Sequence, residues 1–117
     1  MELNPAEKQR GKLECENDIA NGTFHFFWQT RGKWGEFMTE ILLERFNVVI
    51  VHTSCFTTSD IHSYRRGYND RMTEYVDAKF GPDSMKNAMD EIQTYRKKIY
   101  DESVKKRNLD AKSENTQ

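Results

Sequence analysis

The feature that most constrains this fold is a change of hydrophobic period, from strand to helix and back to strand, between residues 23 and 53. Thr23–Thr30 is rich in aromatic and β-branched residues and is bounded by turn residues, which is typical of a strand. Lys33–Phe46 carries apolar residues three or four positions apart, which predicts one apolar stripe on a helix. Val48–Thr53 is a branched run that predicts a second, buried strand. This order predicts a βαβ unit with parallel strands and a right-handed crossover.

Helical patterns flank this unit on both sides. A first helix is predicted over Pro5–Ala20, with an interruption at Gly11. A third helix should run from the capping residues Thr57–Asp60 to Phe80 and a fourth should begin beside Ser84, and each carries an apolar stripe at helical spacing. We therefore predict a single small α/β domain over residues 1–104, in the order helix-strand-helix-strand-helix-helix. A polar, disordered C-terminal tail should follow over residues 105–117.

The predicted parallel sheet is unusually small. Only two segments have the pattern of strands, and a two-stranded sheet has two exposed edges and is marginal alone. Apolar residues fall on both faces of the first strand, which predicts that both faces are covered. A missed strand or a second chain must therefore complete the sheet. Our leading hypothesis is a non-enzymatic interaction protein that self-associates as a homo-oligomer.

Charge and cysteine content argue against several classes of function. The chain has 18 basic and 19 acidic residues, whereas a nucleic-acid or membrane-surface binder would need a basic excess. The basic residues of 96–107 are mixed with acidic ones, which favours a solvated helix face. No apolar stretch approaches the roughly 18 residues of a membrane span. Cys15 and Cys55 form neither a disulfide framework nor a zinc pattern, which favours reduced thiols and a cytoplasmic location.

The alternative hypothesis is a small-ligand or anion-binding module, or a minor enzyme, at the carboxyl ends of the two strands. Two loops lie there, residues 29–33 and 52–59, and each leads into a helix N-terminus, where free N–H groups favour anions. The candidate ligand-binding residues are the cations, hydroxyls and thiol of these loops: Arg31, Lys33, His52, Cys55, Thr57 and Thr58. The glycine spacing matches neither a P-loop nor a dinucleotide fingerprint, and we expect no cofactor.

No catalytic or metal-binding residue is assigned. His52 and Cys55 could form a thiolate–imidazole pair, but no acidic residue is placed to orient the imidazole, so a structural cysteine is favoured. His25, His52 and His62 lack the spacing of a metal site, which would need them to converge with a carboxylate or thiolate.

The order of several short motifs resembles that of small bacterial proteins of the FEKKY-domain type, mostly from Bacteroidetes-like organisms. The motifs are Asp18–Gly22, Leu43–Val48, Cys55–Thr58, Gly67–Met72 and Lys79–Gly81. The resemblance covers about Lys12 to Gly81 and implies no established activity and no catalytic residue. It draws attention to Gly67 in mid-helix, where a glycine is unfavourable. Gly67 either packs the helix closely against the sheet or leaves room for a ligand or partner.

Overall fold

The computed structural model describes residues 3–54 and 57–115, and within them the chain forms four helices and two strands. The elements are α1 (Pro5–Ala20), β1 (His25–Trp28), α2 (Gly32–Phe46), β2 (Val49–His52), α3 (Ser59–Phe80) and α4 (Ser84–Asn115). The predicted order of elements is confirmed, although helix dominates this small α/β domain. Both strands are shorter than predicted because only four residues of each pair in register.

Local signals fix the ends of the helices. The side chain of Asn4 accepts hydrogen bonds from two backbone N–H groups in the first turn of α1. α2 ends at Asn47, whose φ of 57° is the left-handed cap that the sequence predicts. The hydroxyl of Thr58 accepts a hydrogen bond from the N–H of Ile61 at 3.2 Å, which starts α3. These ends fix the directions in which the chain enters and leaves the two strands.

Two glycines bring the backbones of α1 and α3 into contact. A Cβ at Gly11 would lie 2.0 Å from the carbonyl oxygen of Tyr64, and a Cβ at Gly67 would lie 1.9 Å from that of Lys8. The predicted interruption of α1 at Gly11 is wrong, because Gly11 is buried within a continuous helix. Gly67 packs helix against helix instead of helix against sheet, and the Lys8 backbone fills the space considered for a ligand. The glycines are therefore needed for a close helix crossing.

β1 and β2 pair in parallel, with Phe26 opposite Ile50 and Phe27 opposite Val51, as predicted. Side chains alternate between faces, so Phe26 and Ile50 share one face, and both are buried. Phe27 and Val51 share the other face with Val49, which is 47% exposed. The prediction that the second strand is buried is therefore correct at Ile50 and wrong at Val49. The helix that follows β2 packs beside β1 and leaves this part of the second face uncovered.

Most of the hydrophobic core lies between the buried face of the sheet and the helices α2, α3 and α4, and α1 adds the buried Cys15. Its fully buried members include Met38 and Leu42 on α2, Met72 and Val76 on α3, and Ile92 on α4. These residues belong to the predicted apolar stripes. The periodicity of the sequence therefore identified the inward faces of these three helices.

α4 continues beyond the core into the segment predicted as a tail. Residues 105–115 are helical in the structure, and the side chains of residues 105–110 are all exposed. Lys, Arg and Ala are strong helix formers, which accounts for helix without burial. The domain boundary near residue 104 stays a prediction. No helix in the described ranges is long and apolar enough to cross a membrane.

Candidate functional site

The outer edge of β1 is closed by a side chain of α3. The carbonyl of Trp28 accepts a hydrogen bond from the N–H of Thr53 on the β2 side, so the backbone groups of Phe27, the preceding residue, face away from β2. The Phe27 N–H donates to Oδ1 of Asn69 at 2.9 Å, and Nδ2 of Asn69 donates to the Phe27 carbonyl at 2.7 Å. One amide therefore makes both hydrogen bonds that a neighbouring strand would make to this residue.

Aromatic contacts on both faces of the sheet hold α3 against this edge. On one face the ring of Phe27 meets that of Tyr68 edge-on, with 5.0 Å between the centroids. On the other face Phe24 stacks on Tyr75, also with 5.0 Å between the centroids. α3 thus occupies the place of a third strand, and no further strand is present in the part of the chain that the structure describes.

The outer edge of β2 is open. The N–H groups of Val49 and Thr53 point toward β1, so the backbone groups of Ile50 and His52 point away from it. The N–H and C=O of Ile50 make no hydrogen bond to any residue in the described ranges. β2 also contains no proline, lysine or other protective residue of the kinds that commonly block strand addition at an edge. The outward backbone groups of Ile50 are therefore unpaired within the described residues, although the residue as a whole is only 5% exposed.

The predicted ligand-binding residues are distributed over separate places. Arg31 precedes α2 and, with His52, lines an open depression of about 440 Å³ at the strand ends. Nδ1 of His52 is hydrogen-bonded to the hydroxyl of Thr30. Lys33 is exposed in the first turn of α2 and is not among the residues that line this depression. Cys55 lies outside the described residues, so its pairing with His52 stays a prediction.

The two predicted threonines also have separate roles in the structure. Thr58 caps α3 through its hydroxyl. Thr57 lines a second, larger cavity, which neither Arg31 nor His52 lines. The structure therefore brings Arg31 and His52 together and places Thr57 elsewhere.

The larger cavity is a groove of about 620 Å³ between β1 and α3, and Thr57 is the one predicted ligand-binding residue among the described residues that line it. Residues 26–29 form its sheet side, and Thr53, Ser54 and Thr57 line one end. Its polar lining residues are Gln29, Thr53, Ser54, Thr57, His62, Arg65, Arg66, Asn69, Asp70 and Thr73. Those on α3 lie three or four positions apart, which is one polar helix face. That period, on the helix side that faces the strand, is the signal that could have identified the groove.

A partly buried polar cluster lies where α1 meets α3 and β1. The Tyr68 hydroxyl donates a hydrogen bond to Asp18 at 2.6 Å, and Nδ1 of His25 lies 3.9 Å from the same carboxylate oxygen. Burial raises the pKa of the neighbouring Cys15 thiol to about 12. A thiol with this pKa stays protonated near neutral pH, so it is a poor nucleophile and a poor metal ligand. No metal-binding group of three or more His, Cys, Asp or Glu occurs among the described residues.

Comparison with known proteins gives no match to a family model, to a curated protein or to a solved structure. The resemblance to proteins of the FEKKY-domain type therefore stays a prediction. The candidate functional features of the described residues are the two sheet edges and the groove beside α3.

Proposed function

We propose that this protein is a non-enzymatic interaction protein that self-associates by pairing the β2 strands of two copies. The observation that supports this most is the open backbone edge at Ile50 beside the exposed side chain of Val49. Strand addition satisfies backbone groups and covers apolar side chains in one step. A second copy of the chain carries the same edge, and a two-fold axis would join identical surfaces.

An antiparallel pairing centred on Ile50 fits the residues of β2. The two Ile50 residues would exchange two backbone hydrogen bonds, because their N–H and C=O groups face outward. His52 of each copy would lie opposite Val48 of the other and could donate its N–H to the Val48 carbonyl. The N–H of Val48 is already used, since it donates to the carbonyl of Leu42 at 3.1 Å. Four hydrogen bonds would therefore join the copies and form a four-stranded sheet.

The same register brings apolar side chains together on the uncovered face. Val49 of one copy would lie opposite Val51 of the other, and the reciprocal pair would form across the axis. Cross-strand pairs of β-branched residues at this spacing stabilise a sheet. The pairing would cover Val49, whose exposure leaves the second face of the sheet incomplete.

The closed edge of β1 limits this assembly. Asn69 occupies the outward backbone groups of Phe27, so a third copy cannot add a strand there without displacing α3. Pairing through β2 alone closes after two copies. We therefore expect a dimer and no fibre or higher oligomer.

The ligand-binding alternative has less support at the residues first predicted for it. Arg31 and His52 share an open depression, but His52 is engaged by Thr30, and Lys33 does not line the depression. No arrangement of a nucleophile, a base and an orienting acid is present among the described residues of the two strand-end loops. Binding through those loops, or a minor enzymatic activity, remains the second hypothesis.

Sedimentation equilibrium of wild type and two lysine variants tests the proposal. Val49→Lys places a charge at the proposed interface, whereas Leu43→Lys places one on the outer side of α2. Both native side chains are 47% exposed, so the two changes are matched in burial. We expect wild type and Leu43→Lys to sediment as dimers of the 13.9 kDa chain at micromolar concentration, and Val49→Lys to sediment as a monomer.

Two results would contradict this proposal. A wild-type protein that stays monomeric at all micromolar concentrations would exclude self-association. A dimer that both lysine variants retain, with unchanged melting temperatures, would show that the interface lies away from β2.

A further inference from the structure

We propose that the groove between β1 and α3 is a binding site for a small organic anion, namely an aromatic ring that carries a phosphate or carboxylate. Arg65 and Arg66 would hold the anionic group, and Trp28 would contact the ring. All three residues line the groove of about 620 Å³. This volume lies within the roughly 300–1,000 Å³ of typical ligand pockets.

The charge of the groove supports an anionic ligand. Three other arginines pair with carboxylates, namely Arg10 with Glu7, Arg45 with Glu91 and Arg71 with Glu16, and Arg96 lies over the ring of Trp34. Arg65 and Arg66 form no ion pair with any residue in the described ranges. Two guanidinium groups on one cavity wall are a suitable receptor for an oxyanion, because each offers several N–H donors in a plane.

One carboxylate lines the same groove and must be considered. Asp70 follows Arg66 by one helical turn, yet its carboxylate is 3.9 Å from Nζ of Lys8 on α1 and not within ion-pair distance of either arginine. Asp70 therefore balances Lys8 on the α1 side. The groove keeps an excess of positive charge in a chain whose net charge is −1.

The other sides of the groove supply neutral hydrogen-bonding groups and an aromatic surface. Thr53 and Thr57 line the end where the strands terminate, which is the usual ligand position in parallel sheets, and the Thr57 hydroxyl donates to the Thr58 carbonyl at 3.2 Å. Trp28 is 36% exposed and stacks on the buried Phe26, with 5.7 Å between the centroids. A partly exposed indole that is held by a buried ring offers a rigid surface for stacking.

This site is separate from the proposed interface between copies. The groove lies at the outer edge of β1, whereas the open backbone groups lie at the outer edge of β2. Ligand binding and self-association can therefore be measured and can fail independently.

Titration calorimetry with four probes tests this site: phenyl phosphate, benzoate, inorganic phosphate and phenol, each at up to low millimolar concentration. We expect both aryl anions to bind, and phenyl phosphate to bind at least about tenfold more tightly than inorganic phosphate or phenol. Phenyl phosphate should also change the fluorescence of Trp28. Absence of heat and of a fluorescence change with both aryl anions would overturn the proposal.

Paired charge variants identify the site. Arg65→Gln with Arg66→Gln should weaken phenyl phosphate binding by about tenfold or more, because charge-assisted hydrogen bonds are lost. Lys105→Gln with Lys106→Gln changes the net charge equally on the exposed end of α4 and should leave the affinity unchanged. Equal weakening in both pairs would show general charge attraction and overturn the site, as would unchanged affinity in the arginine pair.

A further variant tests the contribution of the ring contact. Trp28→Ala should reduce the preference for phenyl phosphate over inorganic phosphate to near unity and leave the weak binding of inorganic phosphate in place. A preference that survives this change would contradict the assignment of Trp28.

Discussion

The two outer edges of the sheet differ in whether their outward backbone groups are hydrogen-bonded. At β1 the outward N–H and C=O of Phe27 are both bonded by the amide of Asn69, and rings of α3 pack on either face. At β2 the corresponding groups of Ile50 make no hydrogen bond within the described ranges, and Val49 beside it is exposed. One strand edge is thus closed by a helix, and the outward backbone groups at the other edge are unpaired within the described residues.

The difference arises from where the chain goes after each strand. α2 follows β1 and packs on the sheet, as a crossover helix does. α3 follows β2 but returns to the far edge at β1, where Gly67 lets it dock tightly on α1. The same helix that closes one edge therefore leaves the other edge and part of one face uncovered. The following predictions test this contrast, from the largest expected effect to the smallest.

Loss of the α1–α3 crossing should have the largest effect. Gly67→Ala places a methyl group on the Lys8 carbonyl, where backbone cannot easily move, and should destabilise the fold by about 3 kcal/mol or more. In a helix without this contact the same change would stabilise by about 1 kcal/mol, so the sign is informative. Urea denaturation of wild type and Gly67→Ala measures both the size and the sign of this change in the free energy of unfolding. A neutral or stabilising result would show that the crossing, and with it the position of α3, is different.

Loss of the amide at the β1 edge should have an intermediate effect. Asn69→Ala removes both hydrogen bonds to Phe27 and should destabilise the domain by about 2 kcal/mol, because the partly buried backbone groups lose their partner. Asn87→Ala, on an exposed part of α4, is the matched control and should change stability by less than about 0.5 kcal/mol. Equal effects of the two variants would contradict the closed edge.

Removal of one hydroxyl beside the β1 edge should have a smaller effect. Tyr68→Phe keeps the ring against Phe27 but loses the hydrogen bond to Asp18, and we expect a destabilisation of about 1.5 kcal/mol. Tyr100→Phe, whose native side chain is 64% exposed, should be neutral in the same denaturation experiment. A neutral Tyr68→Phe would show that the ring contact alone positions this part of α3.

Alkaline pH should have the smallest effect near neutrality and a growing one above it. Burial raises the pKa of Cys15 from 9.0 to about 12, and burial together with a carboxylate partner raises the pKa of Tyr64 and Tyr68. A raised folded-state pKa means that the folded chain holds its protons longer than the unfolded chain. The free energy of unfolding should therefore be constant up to about pH 9 and fall between about pH 9 and 12. A free energy of unfolding that stays constant over this pH range, in wild type as well as in Cys15→Ala, would contradict the raised pKa of these groups.

Local patterns predicted the elements because they depend on neighbouring residues. The period of Lys33–Phe46 placed α2, and Asn47 marked its end as a left-handed cap. The parallel pairing followed from the same βαβ pattern. Each of these features is determined by residues close together in the sequence, which a single chain displays directly.

The sheet edges could not be predicted because they depend on which helix packs where. Asn69 is 42 positions from Phe27, and nothing at either residue reveals the pairing. Valine is a residue type typical of buried strands, and Val49 is exposed only because α3 lies elsewhere. The groove was missed for the same reason, since Arg65 and Arg66 become a site only when their helix lies beside Trp28.

Amide hydrogen exchange at Phe27 and Ile50, followed by NMR over a range of protein concentrations, tests the central contrast most directly. The N–H of Phe27 should exchange slowly at every concentration, because Asn69 holds it within one copy. The N–H of Ile50 should exchange rapidly in dilute monomer and slowly once copies pair, and Val49→Lys should keep it rapid throughout. Slow exchange at Ile50 in dilute monomer, or exchange that does not change as the copies associate, would contradict the open edge of β2.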